Sequence, residues 1–148
     1  FGNPRRVSIG IDYNRVAVIL AVLEKRVGLL LSGEDVYVSV AGGLRLDDPA
    51  ADLAVACAVA SSLKGRPCDP GAVAMGEIGL SGELRPVSRV ESRIHEASRL
   101  GFKRCVVPYG NLRAAHPSFP GLEVVGAKTV KEALECIEGG TPGACQGR

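Results

Sequence analysis

The stretch Met75-Gly76-Glu77-Ile78-Gly79-Leu80-Ser81-Gly82-Glu83-Leu84-Arg85-Pro86-Val87 holds two short apolar segments separated by glycines. Ala72 to Met75 and Leu84 to Val87 read as short strands joined through Gly76 to Gly82, because glycine and serine punctuate apolar runs where the chain reverses. Gly65, Pro67, Pro70 and Gly71 mark a loop ahead of this unit. Beyond it, Val90, Ile94, Ala97 and Leu100 recur at helical spacing, which predicts an amphipathic helix from Arg89 with Arg89, Arg93 and Glu96 on its other face. Gly101 ends that helix. Cys105 to Val107 is a short buried strand stopped by Pro108, and Leu122 to Val125 is another. Thr129, with Glu132 three residues later, forms a capping box that opens a last helix along Val130, Ala133, Leu134 and Ile137.

Upstream, Asp12 is a helix N-cap after the apolar segment Val7 to Ile11, and Val16 to Leu23 is apolar on almost every helical face, so this helix should be central. Val36, Val38 and Val40 alternate with Tyr37 and Ser39, and Gly42-Gly43 precedes Leu44-Arg45-Leu46, which together read as a hairpin. Asp47-Asp48-Pro49 starts a second helix, with a carboxylate cap and a proline at the first position, where its missing N–H costs nothing. Its body, Leu53 to Ala60, consists of small apolar residues that neighbouring backbones can approach on several sides. Alternating short strands and helices give an α+β fold with α/β-type layers. Residues 1–138 read as one domain, and residues 139–148, with four glycines and a proline, as a mobile tail.

The 148 residues, 46% of them apolar, suffice for one buried core. No run approaches the roughly 20 apolar residues of a membrane span, and the start lacks the apolar centre of a secretory signal. A cytoplasmic protein with no membrane partner is expected. Five dispersed cysteines and two histidines, His95 and His116, make neither a zinc site nor a disulfide framework. Net charge is only +2, yet 13 of the 18 basic residues are arginine, whose planar fork suits phosphate. Gly76 to Gly82 lacks the Gly-x-x-x-x-Gly-Lys-Ser/Thr order of a phosphate-binding loop.

The Met75–Val87 run resembles the Gly-Glu-Ile-x-Leu-x-Gly-x-Val/Leu-x-Pro segment of Lon-type proteolytic domains, and the flanking helices and the Gly101–Pro108 segment agree in order. Within that superfamily, Gly2-Asn3-Pro4-Arg5-Arg6-Val7 and Asp52-Leu53-Ala54 resemble the C-terminal domain of the bacterial RadA (Sms) DNA repair family. The resemblance implies a Lon proteolytic-domain-like fold, of the ribosomal protein S5 domain 2-like type. Lon proteases are similar in using a serine activated by a lysine, since a desolvated neutral amine can take the hydroxyl proton. Aligning Asp47-Asp48-Pro49-Ala50-Ala51-Asp52 with the family's serine run puts Ala50 at the nucleophile, and counting from Gly76-Glu77 puts Glu91 at the lysine. No catalytic dyad is therefore expected. Asp48 and Asp52 read as capping and dipole-stabilising groups at a helix start. Ser61, Ser62 and Lys64 read as the solvated exit of a helix, not a relocated dyad.

What the resemblance implies instead is a non-proteolytic domain of a DNA repair and recombination ATPase. It would help to hold a homo-hexameric ring and contact single- or double-stranded DNA without sequence preference. ATP, Mg2+ and Zn2+ are expected only in domains upstream, with no cofactor or metal in this segment. The DNA-contact candidates are Arg5, Arg6, Arg15, Arg45, Arg89, Arg93, Lys103 and Arg104, because phosphate binding needs cations more than special geometry. The alternatives are a purely structural oligomerisation domain and a residual Lon-type serine peptidase.

Overall fold

The structure, a computed structural model, describes residues 2–112 and 119–138. The expected tail and His116 lie outside the described residues. Strand β1 (Arg6–Ile9) leads into helix α1 (Tyr13–Val22), whose cap is Asp12: its carboxylate accepts the Arg15 N–H at 3.2 Å. Val16, Ile19, Leu20 and Val22 are buried, but Ala17 and Ala21 are exposed, so α1 is covered on one side and is not the central helix expected from its apolar faces. A π-helical turn, Leu23–Val27, extends α1 and stops at Gly28 in the left-handed conformation.

Strand β2 (Val36–Ser39) pairs in parallel with β1, Arg6 opposite Val36 and Ile9 opposite Ser39. This overturns the expected hairpin. Gly42-Gly43 does reverse the chain locally, but Leu46 then donates its N–H to the Gly10 carbonyl at 2.7 Å and bridges to Ile11 instead of folding back on β2. Alternation fixed the strand but not its partner, because the pairing edge depends on where α1 delivers the chain.

A 3-10 turn (Pro49–Ala51) and helix α2 (Asp52–Lys64) follow, ended by left-handed Gly65. Three parallel strands, β3 (Ala72–Ala74), β6 (Arg104–Pro108) and β7 (Glu123–Ala127), form a sheet with β6 central. The hairpin β4 (Glu77–Ile78) and β5 (Leu84–Arg85) lies between β3 and helix α3 (Val90–Arg99). A short helix α4 (Tyr109–Leu112) joins β6 to β7, and α5 (Val130–Ile137) closes the fold.

The continuous apolar run of β6 has a simple cause: parallel strands are covered on both faces. Val106 belongs to a core with α1, α2 and α5, whereas Cys105 and Val107 belong to a second cluster with Ile94 and Ala97 of α3. Leu100, expected on the buried face of α3, is 60% exposed, because it is already the C-cap residue before left-handed Gly101. Thr129 Oγ1 accepts the Glu132 N–H at 3.2 Å, while the Glu132 carboxylate reaches back to Lys128 N–H at 2.9 Å, one residue beyond the expected reciprocal bond. The architecture is a mixture of helices with parallel and antiparallel strands, consistent with the α+β class. No helix among the described residues is long and apolar enough to cross a membrane. Of the described cysteines, Cys57, Cys68 and Cys105 are free. Cys136 is disulfide-bonded, whereas the sequence had suggested no disulfide framework.

Candidate functional site

The Met75–Val87 run acts as a clamp on the start of α2. Gly76 donates its N–H to the Ala50 carbonyl at 2.9 Å and accepts the Leu53 N–H at 3.1 Å. Gly82 is required by its left-handed backbone, whereas a Cβ on Gly79 would meet only the movable end of the Glu83 side chain. A Cβ on Gly79 would fall 1.7 Å from Glu83 Oε1, and one on Gly82, at φ +83°, would press on the Arg26 stem at 3.1 Å. Val87 at the end of the run exchanges two 3.0 Å bonds with the buried Asn111 amide, a tether that the sequence reading missed.

Ala50 is buried in the α3-side cluster, so its methyl packs where a nucleophile would need an open approach. Asp48 is the cap expected from the sequence: its carboxylate accepts the Ala50 N–H at 3.0 Å, and its carbonyl accepts the Ala51 N–H at 3.0 Å. Asp52 donates its own N–H to the Pro49 carbonyl. The N–H groups of Ala50, Ala51, Asp52 and Leu53 are thus all engaged, whereas stabilising an oxyanion needs donors free to receive it.

Across from this turn, Arg93 of α3 donates to Asp48 Oδ2 at 2.7 Å and, through Nε, to the Ser88 carbonyl at 2.8 Å. The Ala50 N–H and the Arg93 guanidinium hold the Asp48 carboxyl below its ordinary 3.8, and Arg89 adds a weaker pull. Arg89 is the cap residue of α3 and has φ 52°, the one left-handed non-glycine among the described residues. Glu91, at the position matched to the lysine, is exposed in the first turn of α3. An exposed carboxylate supplies no amine base.

Asp52 departs from the expected capping role. It is 2% exposed and ties three segments together: it accepts the Ile78 N–H of β4 at 3.1 Å and Arg15 Nε of α1 at 3.3 Å, the latter within an ion pair. Ser61 Oγ donates to the Arg66 carbonyl at 2.6 Å and Lys64 pairs with Glu138, so no dyad forms there.

The eight DNA-contact candidates divide by what already holds them. Arg6 donates to the carbonyls of Leu31, at 2.9 Å, and Glu34. Arg15 is held by Asp52, Arg45 by Asp47 at 2.9 Å, and Arg93 by Asp48. Arg104 donates to the Cys136 carbonyl at 3.0 Å and pairs with Glu123 at 3.4 Å. The side chains of Arg5, Arg89 and Lys103 are exposed and have no such partner among the described residues. They sit on separate elements: before β1, at the start of α3 and before β6. Other exposed cations that the sequence reading passed over include Lys25, Arg66 and Lys131, besides Arg26, packed on Gly82, and Lys128, whose ammonium lies 4.8 Å from the Tyr109 ring centre.

The described residues form a mixed domain of helices and short strands in which a glycine-containing hairpin clamps the start of α2 and buries Ala50. The chain belongs to the family described as subunit ChlI of Mg-chelatase, whose model matches residues 12–111. It is similar to the DNA repair protein RadA of Halalkalibacterium halodurans, 52% identical over 140 residues that make up 94% of this chain and 30% of that protein. The RadA of Bacillus subtilis is likewise 52% identical over 141 residues, 95% of this chain and 30% of that protein. For Listeria monocytogenes RadA the match is 50% over 136 residues, covering 91% and 29%. The chain therefore spans about 30% of the length of these curated relatives.

Proposed function

We propose that this chain is a non-proteolytic, Lon-like domain of a RadA-type DNA repair protein, contributing sequence-independent DNA contact and ring assembly to a cytoplasmic ATPase. Residues 1–138 form that domain and residues 139–148 its tail. The observation that carries the loss of proteolysis is Ala50, a buried methyl on a turn whose N–H groups are all engaged. Loss of the serine alone could be repaired by one substitution; loss of the donors and the amine as well could not. ATP, Mg2+ and Zn2+ belong to other parts of the protein on this reading. In support, five of the seven Gly76–Gly82 amides that a phosphate would need are committed: Gly76 to Ala50, Ile78 to Asp52, Gly79 and Ser81 to Glu83, and Gly82 to Gly79.

DNA contact rests on Arg5, Arg89 and Lys103, whose side chains are exposed and make no hydrogen bond or ion pair among the described residues, although Arg89 also attracts the Asp48 carboxylate. The test is a titration of the domain with labelled single- and double-stranded DNA at two salt concentrations, beside the triple variant Arg5→Glu, Arg89→Glu, Lys103→Glu. If all three touch phosphates, the variant loses roughly 2 to 3 units of log–log salt slope. Unchanged affinity removes these residues, and no retention at low salt removes DNA contact altogether. One observation favours a second reading, a structural oligomerisation domain without DNA contact: five of the eight candidates are already held by protein groups. A hexamer by light scattering that ignores DNA would select that reading.

A further inference from the structure

Two free thiols, Cys57 and Cys68, are brought together where α2 ends. The helix stops at left-handed Gly65, and the chain then turns back along it. Three bonds fix that return: the Arg66 N–H donates to the Ser61 carbonyl at 3.2 Å, the Gly65 N–H to the Ser62 carbonyl at 3.4 Å, and Ser61 Oγ to the Arg66 carbonyl at 2.6 Å. Pro67 cannot continue the helix. Cys68 is thereby laid against α2, its Sγ 3.7 Å from the carbonyl oxygen of Cys57, 11 positions earlier. The same segment also holds the end of α5: the Asp69 N–H donates to the Ile137 carbonyl at 2.9 Å, and Cys68 bridges to Glu138.

The two thiols differ in access. Cys57 is 5% exposed, whereas Cys68 is half-buried at the margin of the same apolar cluster. Burial, then the Cys68 thiol, then the Glu138 carboxylate push the Cys57 thiol up to about 12. Glu138 is itself held by Lys64. We propose that Cys57 and Cys68 are a redox pair, which a small-molecule disulfide such as glutathione disulfide oxidises to an intramolecular disulfide. The crosslink would fasten the return segment, and with it the end of α5, to α2. This inference is independent of DNA contact.

The steps balance. The Cys68 thiolate attacks one sulfur of the small disulfide, forming a mixed disulfide and releasing one small thiol. Cys57 gives its proton to water, and its thiolate attacks Cys68 Sγ, releasing the second small thiol. The protein pair gives up two electrons and two protons, and the small disulfide takes them as two thiols. Access sets the order, because a reagent meets the half-buried thiol first and only a thiolate attacks.

The test exposes the native full-length protein that contains this chain to glutathione disulfide, with peptide mapping by mass spectrometry. Glutathione should appear first on Cys68 and then leave, as a peptide linked through Cys57 and Cys68 accumulates. The second step should quicken roughly tenfold per pH unit between about pH 7 and 9, following the Cys57 thiolate. In Cys57→Ala the mixed disulfide on Cys68 should persist, and in Cys68→Ala the remaining Cys57 should take up no glutathione. The linked form should exchange the amides of residues 65–69 roughly threefold more slowly, or better, than the reduced form. A mixed disulfide that persists on wild-type Cys68 overturns the proposal, as do glutathione on Cys57 ahead of Cys68, no loss of either thiol, or a linked form with unchanged exchange.

Discussion

Replacing Asp52 by alanine removes one carboxylate that holds α1, α2 and β4 together. The Ile78 N–H, buried and bonded to Asp52 at 3.1 Å, loses its acceptor, at a cost of about 1–3 kcal/mol. Arg15 loses its partner too, but its side chain is 35% exposed and can turn to water, so the full 3–5 kcal/mol for breaking a buried pair is not reached. The sum is about 3 kcal/mol, a fall in Tm of about 6–12 °C for a domain of this size. Asp52→Asn keeps an oxygen for Ile78 and should lose about half as much. Urea and thermal unfolding by circular dichroism measure both variants. A loss under about 1 kcal/mol for Asp52→Ala, or an asparagine variant no better than alanine, refutes the assignment of Asp52 as the tie between these segments.

The Asp48 carboxyl titrates below 3.8 when folded, so its stabilisation is complete above that value and is lost as pH falls through the lower folded value. Since Asp48 is about half exposed and asparagine also caps, Asp48→Asn should cost less than about 1 kcal/mol at pH 7, and its urea midpoint should converge with the wild type as pH falls through the lowered folded value of Asp48. Burial pushes the Cys57 and Cys105 thiols up to about 12, so iodoacetamide at pH 8 should modify neither in the folded protein and both in denaturant, as read by mass spectrometry. Labelling of native Cys105 would contradict its burial. Ala50→Ser combined with Glu91→Lys should cleave no unfolded protein substrate, because the turn's N–H groups stay engaged; measurable cleavage would show that those donors can be freed.

The local features of this fold were legible in the residues. Asp12, Asp48 and Thr129 cap where their side-chain chemistry places them, because a cap answers to N–H groups within a single turn. The periodic apolar positions of α1 and α5 face the core. The misread features depended on longer range. Val36 to Val40 announced a strand but not its parallel partner β1, and Gly42-Gly43 argued for a return that the Leu46 bridge to Ile11 replaces.

The candidate site divides in the same way. By itself the sequence determined that a carboxylate caps the turn beside Ala50; the matching of Ala50 and Glu91 to a serine and a lysine rests on the resemblance alone. Only the tertiary structure decided which charges remain available. Arg15 meets Asp52, 37 positions along the chain, and Arg93 meets Asp48, 45 positions away. A capping interaction is settled by neighbours a few bonds apart, whereas an ion pair at such separation exists only once the packing of α1, α2 and α3 has set their distances.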